Sequence, residues 1–161
     1  MRTRRTKSAL VVLSILAAIL LAGSGDVPAA ALATSVTIPI AGTVDGTPES
    51  VSLSGSLSIV STVVIDPLLA SPKERIAIKL VDVSGVGLTS GTKYVAVGED
   101  RLVRLLTLSD QVDIMFPFYP ATPDGRLSAR SAMASITLKF DLLTGALTGA
   151  TATFSSPKLA G

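Results

Sequence analysis

Between Glu49 and Ile59 the chain reads ESVSLSGSLSI, an alternation that places Val51, Leu53, Leu57 and Ile59 on one side of an extended backbone. Ser50, Ser52, Ser54, Ser56 and Ser58 fall on the other. Successive side chains of a strand point to opposite faces, so this is a strand with one buried and one wetted face; a helix would scatter the same residues around its axis. Gly55 interrupts the apolar series and marks a bulge or a close approach of two backbones. After Val60 the phase slips to Val63-Val64-Ile65, and Asp66-Pro67 ends the run.

The same period recurs in SAMASITLKFD, with Ala132, Ala134, Ile136, Leu138 and Phe140 inward and Ser131, Ser135, Thr137 and Lys139 outward. FDLLTGALTGATATF then reads as a hairpin in which Gly145 supplies the positive φ of a short loop. Further strands are predicted over residues 36–44, 75–83, 92–97, 101–108 and 111–118. Turns are predicted at Asp45-Gly46, Gly85-Val86-Gly87, Gly98-Glu99-Asp100 and Ser109-Asp110. The one helical signal is a single turn after Asp66, with Asp66 as N-cap and Pro67 in the first helical position. With 48% hydrophobic residues in 161, the chain carries a sizeable core for one domain. The expected fold is all-β: a single antiparallel β-sandwich or small barrel of about seven or eight strands, the alternation being common to both.

The N-terminus follows another rule. MRTRRTKSALVVLSILAAILLAG opens with Arg2, Arg4, Arg5 and Lys7 and runs apolar from Ala9 to Gly23. A basic start followed by an apolar stretch of about fifteen residues is the layout of a secretory signal, short against the roughly 20 residues of a membrane span. Ala31-Leu32-Ala33 offers an A-x-A cleavage site before Thr34, and Ala29 with Ala31 offers another slightly upstream. Residues 1–33 are therefore expected to be a cleavable signal segment and residues 34–161 a secreted or periplasmic all-β domain with no membrane anchor. Leu21-Ala22-Gly23-Ser24 resembles a lipoprotein box, but Ser24 stands where the lipid-accepting Cys is required. Thr3-Arg4-Arg5 resembles the start of a twin-arginine signal without the bulky apolar residues that should follow, so the general secretion route fits better. The leader takes four of the fourteen basic residues and one of the twelve acidic ones, turning a formal charge of +2 into −1. Nucleic-acid binding, which needs a basic footprint to displace counterions, loses its support.

Absences exclude whole chemistries. The chain has no Cys, His, Trp or Asn. The usual zinc, copper, haem and iron–sulfur sites lose their ligands, hydrolases with an imidazole base lose the base, and no disulfide or N-glycan can form. No side chain has an ordinary pKa between about 5 and 8, so stability is expected to be nearly flat across that range.

MFPFYPATPDG, from Met115 to Gly125, holds three of the six aromatic residues and three prolines. Phe116 and Phe118 share a strand face with Val112 and Ile114; Met115, Pro117 and Tyr119 share the other. Pro117 cannot donate a ladder hydrogen bond and points to a sheet edge. The first expectation is that the two Phe rings close the core and the proline protects an edge. The functional alternative makes Met115, Phe118, Tyr119 and Pro120 a contact surface for a protein partner or an apolar ligand.

Other motifs are weaker. SGTK (Ser90 to Lys93) and SSPK (Ser155 to Lys158) match the S-x-x-K of serine acyl enzymes but lie in turns rather than at a helix start. GVGLTSG (Gly85 to Gly91) suggests a phosphate loop with no helix behind it. Glu99-Asp100 and Asp110 with Asp113 are the acidic clusters, lacking the spacing of a calcium loop. Arg101, Arg104, Arg126 and Arg130 would make an anion site if their loops met. The residues point to a non-catalytic binding or structural module of the periplasm or extracellular space, without metal or cofactor. Carriage of an apolar ligand is the alternative, and a hydrolase using carboxylates or a Ser–Lys pair the lower one.

Overall fold

Eight strands carry the chain: β1 (Ala33–Val44), β2 (Val51–Ile65), β3 (Pro72–Gly87), β4 (Lys93–Ala96), β5 (Glu99–Leu105), β6 (Ser109–Pro120), β7 (Arg130–Phe140) and β8 (Leu147–Ser155). A 3-10 turn at Gly125–Ser128 precedes β7. The computed structural model describes residues 33–65 and 72–157. The expected leader, apart from Ala33, and the expected turn at Asp66-Pro67 lie outside the described residues.

Of the two architectures open to the sequence, the chain adopts the barrel. The ring runs β2-β1-β8-β7-β6-β4-β3 and closes by pairing β3 with β2, while β5, among the described residues, forms a ladder with β3 alone. Six of its seven pairings are antiparallel; β1 and β8 run parallel at Ala41–Thr153 and Gly42–Phe154. A ring of odd strand number cannot alternate direction all the way round, so at least one pairing must be parallel. Putting it between the first and last strands spares the long crossover that parallel neighbours otherwise need.

The interior is filled by the alternating apolar residues. Leu57 and Ile59 from β2, Ile76 and Ile78 from β3, Ile136 and Leu138 from β7 and Phe118 from β6 are all excluded from solvent and belong to one cluster. Each such side chain contributes about 1.5–3 kcal/mol on burial. A ring of about this size leaves an interior that side chains can fill.

The close approach expected at Gly55 is present. Opposite it the β2–β3 register shifts between Ser54 and Ser56, Asp82 takes φ 51° and a bulge forms. A Cβ on Gly55 would stand 2.6 Å from the Val83 Cα. The bulge moves the inner face of β3 from Glu74, Ile76, Ile78 and Leu80 to Val83, Gly85 and Gly87. The turn predicted at Gly85-Val86-Gly87 is therefore strand, and the chain reverses at residues 88–92, where the Gly87 N–H donates to the Thr92 carbonyl at 2.8 Å. The predicted phase slip after Val60 is not a slip of register: β2 pairs residue for residue with β3 from Ser56 to Ile65, and Ser61 is buried on the inner face. Gly145 does adopt φ 70° in the β7–β8 hairpin.

β4 and β5 form one line along the same edge of β3, both antiparallel to it and broken at Val97-Gly98. The turn predicted at Gly98-Glu99-Asp100 is thus a kink, and the reversal into β6 falls at residues 106–108 rather than at Ser109-Asp110. On its other edge β4 pairs with β6 over only three residues, Tyr94–Ala96 against Phe118–Pro120, extended by the Val97 N–H to the Pro117 carbonyl at 3.4 Å. Pro117 stands where β6 leaves its partner, at the end of that seam. Beyond the kink β5 departs from β6, and of its seven residues only Leu102 is partly buried.

The Leu80 N–H donates to the Gly98 carbonyl at 3.0 Å, and the Phe116 ring occupies the space a side chain at Gly98 would need. Gly98→Ala is expected to lower stability by about 1–3 kcal/mol through this clash. In urea unfolding, combination with Phe116→Leu should cost less than the sum of the two single changes. A neutral Gly98→Ala, or strict additivity, would contradict the contact.

Candidate functional site

The aromatic stretch is divided between core and surface. Phe118 is 0% exposed, its ring centroid 5.9 Å from that of Tyr94 and 4.9 Å from the Arg130 guanidinium carbon. It therefore has no surface to offer a partner, which removes it from the predicted contact set: the strand alternation points it inward with Phe116. Met115 is 51% exposed on the outer face, and Tyr119 lies beneath Arg126 at 5.5 Å. Pro120 is opposite Tyr94 in the β4–β6 ladder. Closure of the core is the role this stretch visibly fills.

The glycine-rich loop does hold an anion, and the anion is the chain's own Glu49. Its Oε2 accepts the N–H groups of Thr89 at 2.9 Å and Ser90 at 2.8 Å; its Oε1 accepts the Ser90 hydroxyl at 2.5 Å and the Tyr94 hydroxyl at 3.3 Å. A side chain at Gly87 would collide with this carboxylate. The Ser90 hydroxyl and N–H hold the Glu49 carboxyl down at about 2. Arg130 ties the loop that carries Glu49, donating to the carbonyls of Glu49 at 2.7 Å and Asp45 at 3.1 Å. The Ser90 hydroxyl is thus bonded to Glu49 and Thr92 rather than to Lys93. Of the second such motif, Lys158 lies outside the described residues.

At the other end of the barrel a polar group enters the core. Glu74, only 1% exposed, sits on the inner face of β3, where Oε2 accepts the Ser61 hydroxyl at 3.3 Å and Oε1 has no hydrogen-bond partner among the described residues. Arg104 is opposite it in the β3–β5 ladder, yet its Nε lies 3.1 Å from Asp110 and its Nη2 donates to the Gln111 carbonyl at 3.5 Å. Burial raises the Glu74 carboxyl to about 7, against the Ser61 hydrogen bond and with the help of the Asp110 charge. This is the shifted carboxylate that the expectation of pH-independent stability missed. Its signal was in KERIAIKL, where Glu74 shares the phase of Ile76, Ile78 and Leu80; Ser61 likewise shares the phase of Leu57 and Ile59.

The outer face of β2, β3 and β5 presents an open groove of about 260 Å³, lined by Val60, Thr62, Ala77 and Val103 and flanked by Arg75 and Arg101. Arg101 is held by Glu99 at 2.7 Å. The four arginines do not converge. Arg130 is paired with Phe118 at one end of β6 while Arg104 meets Asp110 at the other, eight residues or about 26 Å away. Among the described residues no group of three or more acidic side chains is placed to hold a metal ion, and no helix is long and apolar enough to cross a membrane. Compared with known proteins, the chain matches no family model, and no curated protein or solved structure is significantly similar to it.

The two shifted glutamates act in opposite senses. Glu74 binds its proton more tightly when folded, so its contribution is complete below the ordinary value of 4.5 and is lost as pH rises through about 7. Glu49 binds its proton more weakly when folded, so its contribution is complete above 4.5 and is lost as pH falls toward about 2. Stability should peak near pH 5, with a melting temperature at pH 8 lower by about 5 °C. Glu74→Gln should flatten the neutral limb and keep the acid one. A wild-type melting temperature constant from pH 5 to 8 would contradict the assignment.

Proposed function

We propose that this chain is an exported, non-catalytic barrel module that binds a partner along the outer face of β2, β3 and β5 and the free edge of β5. The observation that carries the reading is β5 itself: a seven-residue strand that among the described residues is paired on one side only, with Val103 and Leu105 exposed beside an apolar-floored groove. Edges are normally shortened, bulged, covered or charged because they recruit other strands; β5 carries charge at Glu99, Asp100, Arg101 and Arg104 but leaves Val103 and Leu105 bare. An edge left open next to a groove is a recognition surface. The basic, apolar, A-x-A arrangement of residues 1–33 supports export. Outward Ser, Thr and Lys residues on β2 and β7 support a barrel that works in water, since transmembrane barrels carry an apolar outer band.

A second reading, carriage of an apolar ligand, is favoured by a hollow of about 290 Å³ between Val63, Pro72, Leu106, Leu142, Leu143 and Gly145. Lipid co-purifying with the exported protein would support it over the first.

The absence of cysteine permits a unique label. With a photocrosslinker on Val103→Cys, the full-length chain expressed in its producing organism should leave the cytoplasm and capture a partner there. The same label on Leu127→Cys, exposed in the 3-10 turn before β7, should not. Retention in the cytoplasm, or equal capture from both positions, would overturn the reading.

A further inference from the structure

The hydrogen bonds that fix β5 to β3 also decide which of its backbone groups are free. The Gly98 carbonyl accepts from Leu80, and the Leu106 N–H donates to the Pro72 carbonyl at 3.1 Å. In an antiparallel ladder the residues that exchange bonds alternate with residues that do not. Residues 98, 100, 102, 104 and 106 therefore direct their backbone groups at β3, and Glu99, Arg101, Val103 and Leu105 direct theirs away from it. The Arg101 N–H is taken by the Asp100 carboxylate at 2.8 Å. The groups of Val103 and Leu105 face the open side. The same counting along the β4–β6 seam, where the Ala121 N–H donates to the Lys93 carbonyl at 2.8 Å, turns residues 111, 113 and 115 of β6 toward that side too. Arg104 bridges the two edges, pairing with Asp110 and donating to the Gln111 carbonyl.

The side chains along this edge are unequal in charge. On the outer face the ladder sets Arg75 beside Val103, Ala77 beside Arg101 and Lys79 beside Glu99. Glu99 is engaged by Arg101, whereas Arg75 and Lys79 have no acidic partner among the described residues. A strand laid against β5 would place alternate side chains on this same outer face, next to Arg101 and within a long side chain's reach of Arg75, over the floor formed by Val60, Ala77 and Val103. Its apolar residues would meet that floor, and its carboxylates Arg75 and the Arg101 guanidinium, whose Nε and Nη2 both turn to Glu99 Oε1.

Resting on the binding surface assigned above, we propose that the partner is an extended acidic segment of another protein, which adds to the free edge of β5 as an extra strand and sets its carboxylates against Arg75 and Arg101. Backbone bonds to Val103 and Leu105 supply affinity, and the charge on the outer face selects acidic over basic sequences.

The test uses the purified chain and two fluorescent, end-capped heptapeptides, one alternating Glu and Val and one alternating Lys and Val, read by anisotropy. The Glu peptide should bind at least tenfold tighter than the Lys peptide, and that preference should weaken in high salt. Val103→Pro should reduce binding of the Glu peptide at least tenfold without lowering the melting temperature, because the lost N–H is not one that serves β3. The double change Arg75→Glu, Arg101→Glu should reverse the preference between the peptides. Equal binding of the two peptides, an undiminished affinity in Val103→Pro, or sedimentation of the chain as a dimer abolished by Val103→Pro would each overturn the proposal. Capture by the label at Val103 without preference for the acidic peptide would overturn this inference alone and leave the binding surface standing.

Discussion

Three residue pairs, Tyr94 to Ala96 against Phe118 to Pro120, hold the ring of seven strands shut between β4 and β6. Without them β4 and β5 would form one edge of an open sheet and β6 the other. The seam is short because β3 must serve two strands on one edge, β4 along Val83–Val86 and β5 along Lys73–Lys79, and only the first of these reaches β6. Phe116 packs where the line breaks at Gly98, and Phe118 packs beside Tyr94 within the seam. Aromatic residues are scarce in this chain, and they are concentrated where a short ladder has to be reinforced by burial. The consequence is a strand, β5, that belongs to the sheet but not to the ring.

The two ends of the barrel solve the same problem differently. Around the 45–50 and 88–92 loops, polar groups are satisfied within the chain: Glu49 in the N–H groups of Thr89 and Ser90, Arg130 on the carbonyls that precede β2. This end is tied by long-range hydrogen bonds and offers no open anion site, although its glycine pattern suggested one. At the opposite end Glu74 enters the core with one oxygen unpartnered, while Arg104, which faces it across the ladder, turns to Asp110 instead. A cation drawn outward in this way leaves the buried carboxyl to adjust by holding its proton.

The alternation in the chain was enough to find all eight strands, the inward residues of β2, β6 and β7, the close approach at Gly55 and the positive φ of Gly145. These are properties of neighbours along the chain or of one side-chain phase. Closure was not legible. Whether the sheet forms a barrel or a sandwich depends on the β4–β6 and β1–β8 contacts, between residues some 24 and 112 positions apart, and no local pattern encodes them. The glycine at position 98 looked like a turn because its real partner, the Phe116 ring, lies in another strand. Glu74 was legible: a carboxylate in the apolar phase of a strand is the sign of a buried, shifted acid. The free edge of β5 has no sequence signature at all, since an edge is defined by a neighbour that is missing.

That missing neighbour is what amide hydrogen exchange measures most directly. If β5 is bonded to β3 alone, exchange should alternate along it. The N–H groups of Leu102 and Arg104 should be slow, those of Val103 and Leu105 fast, and Gln111 and Asp113 on β6 fast as well, while Val97 and Tyr119 within the seam are slow. Slow exchange at Val103 together with Gln111 would mean that β5 and β6 are paired, the ring is closed along its whole height and no free edge exists.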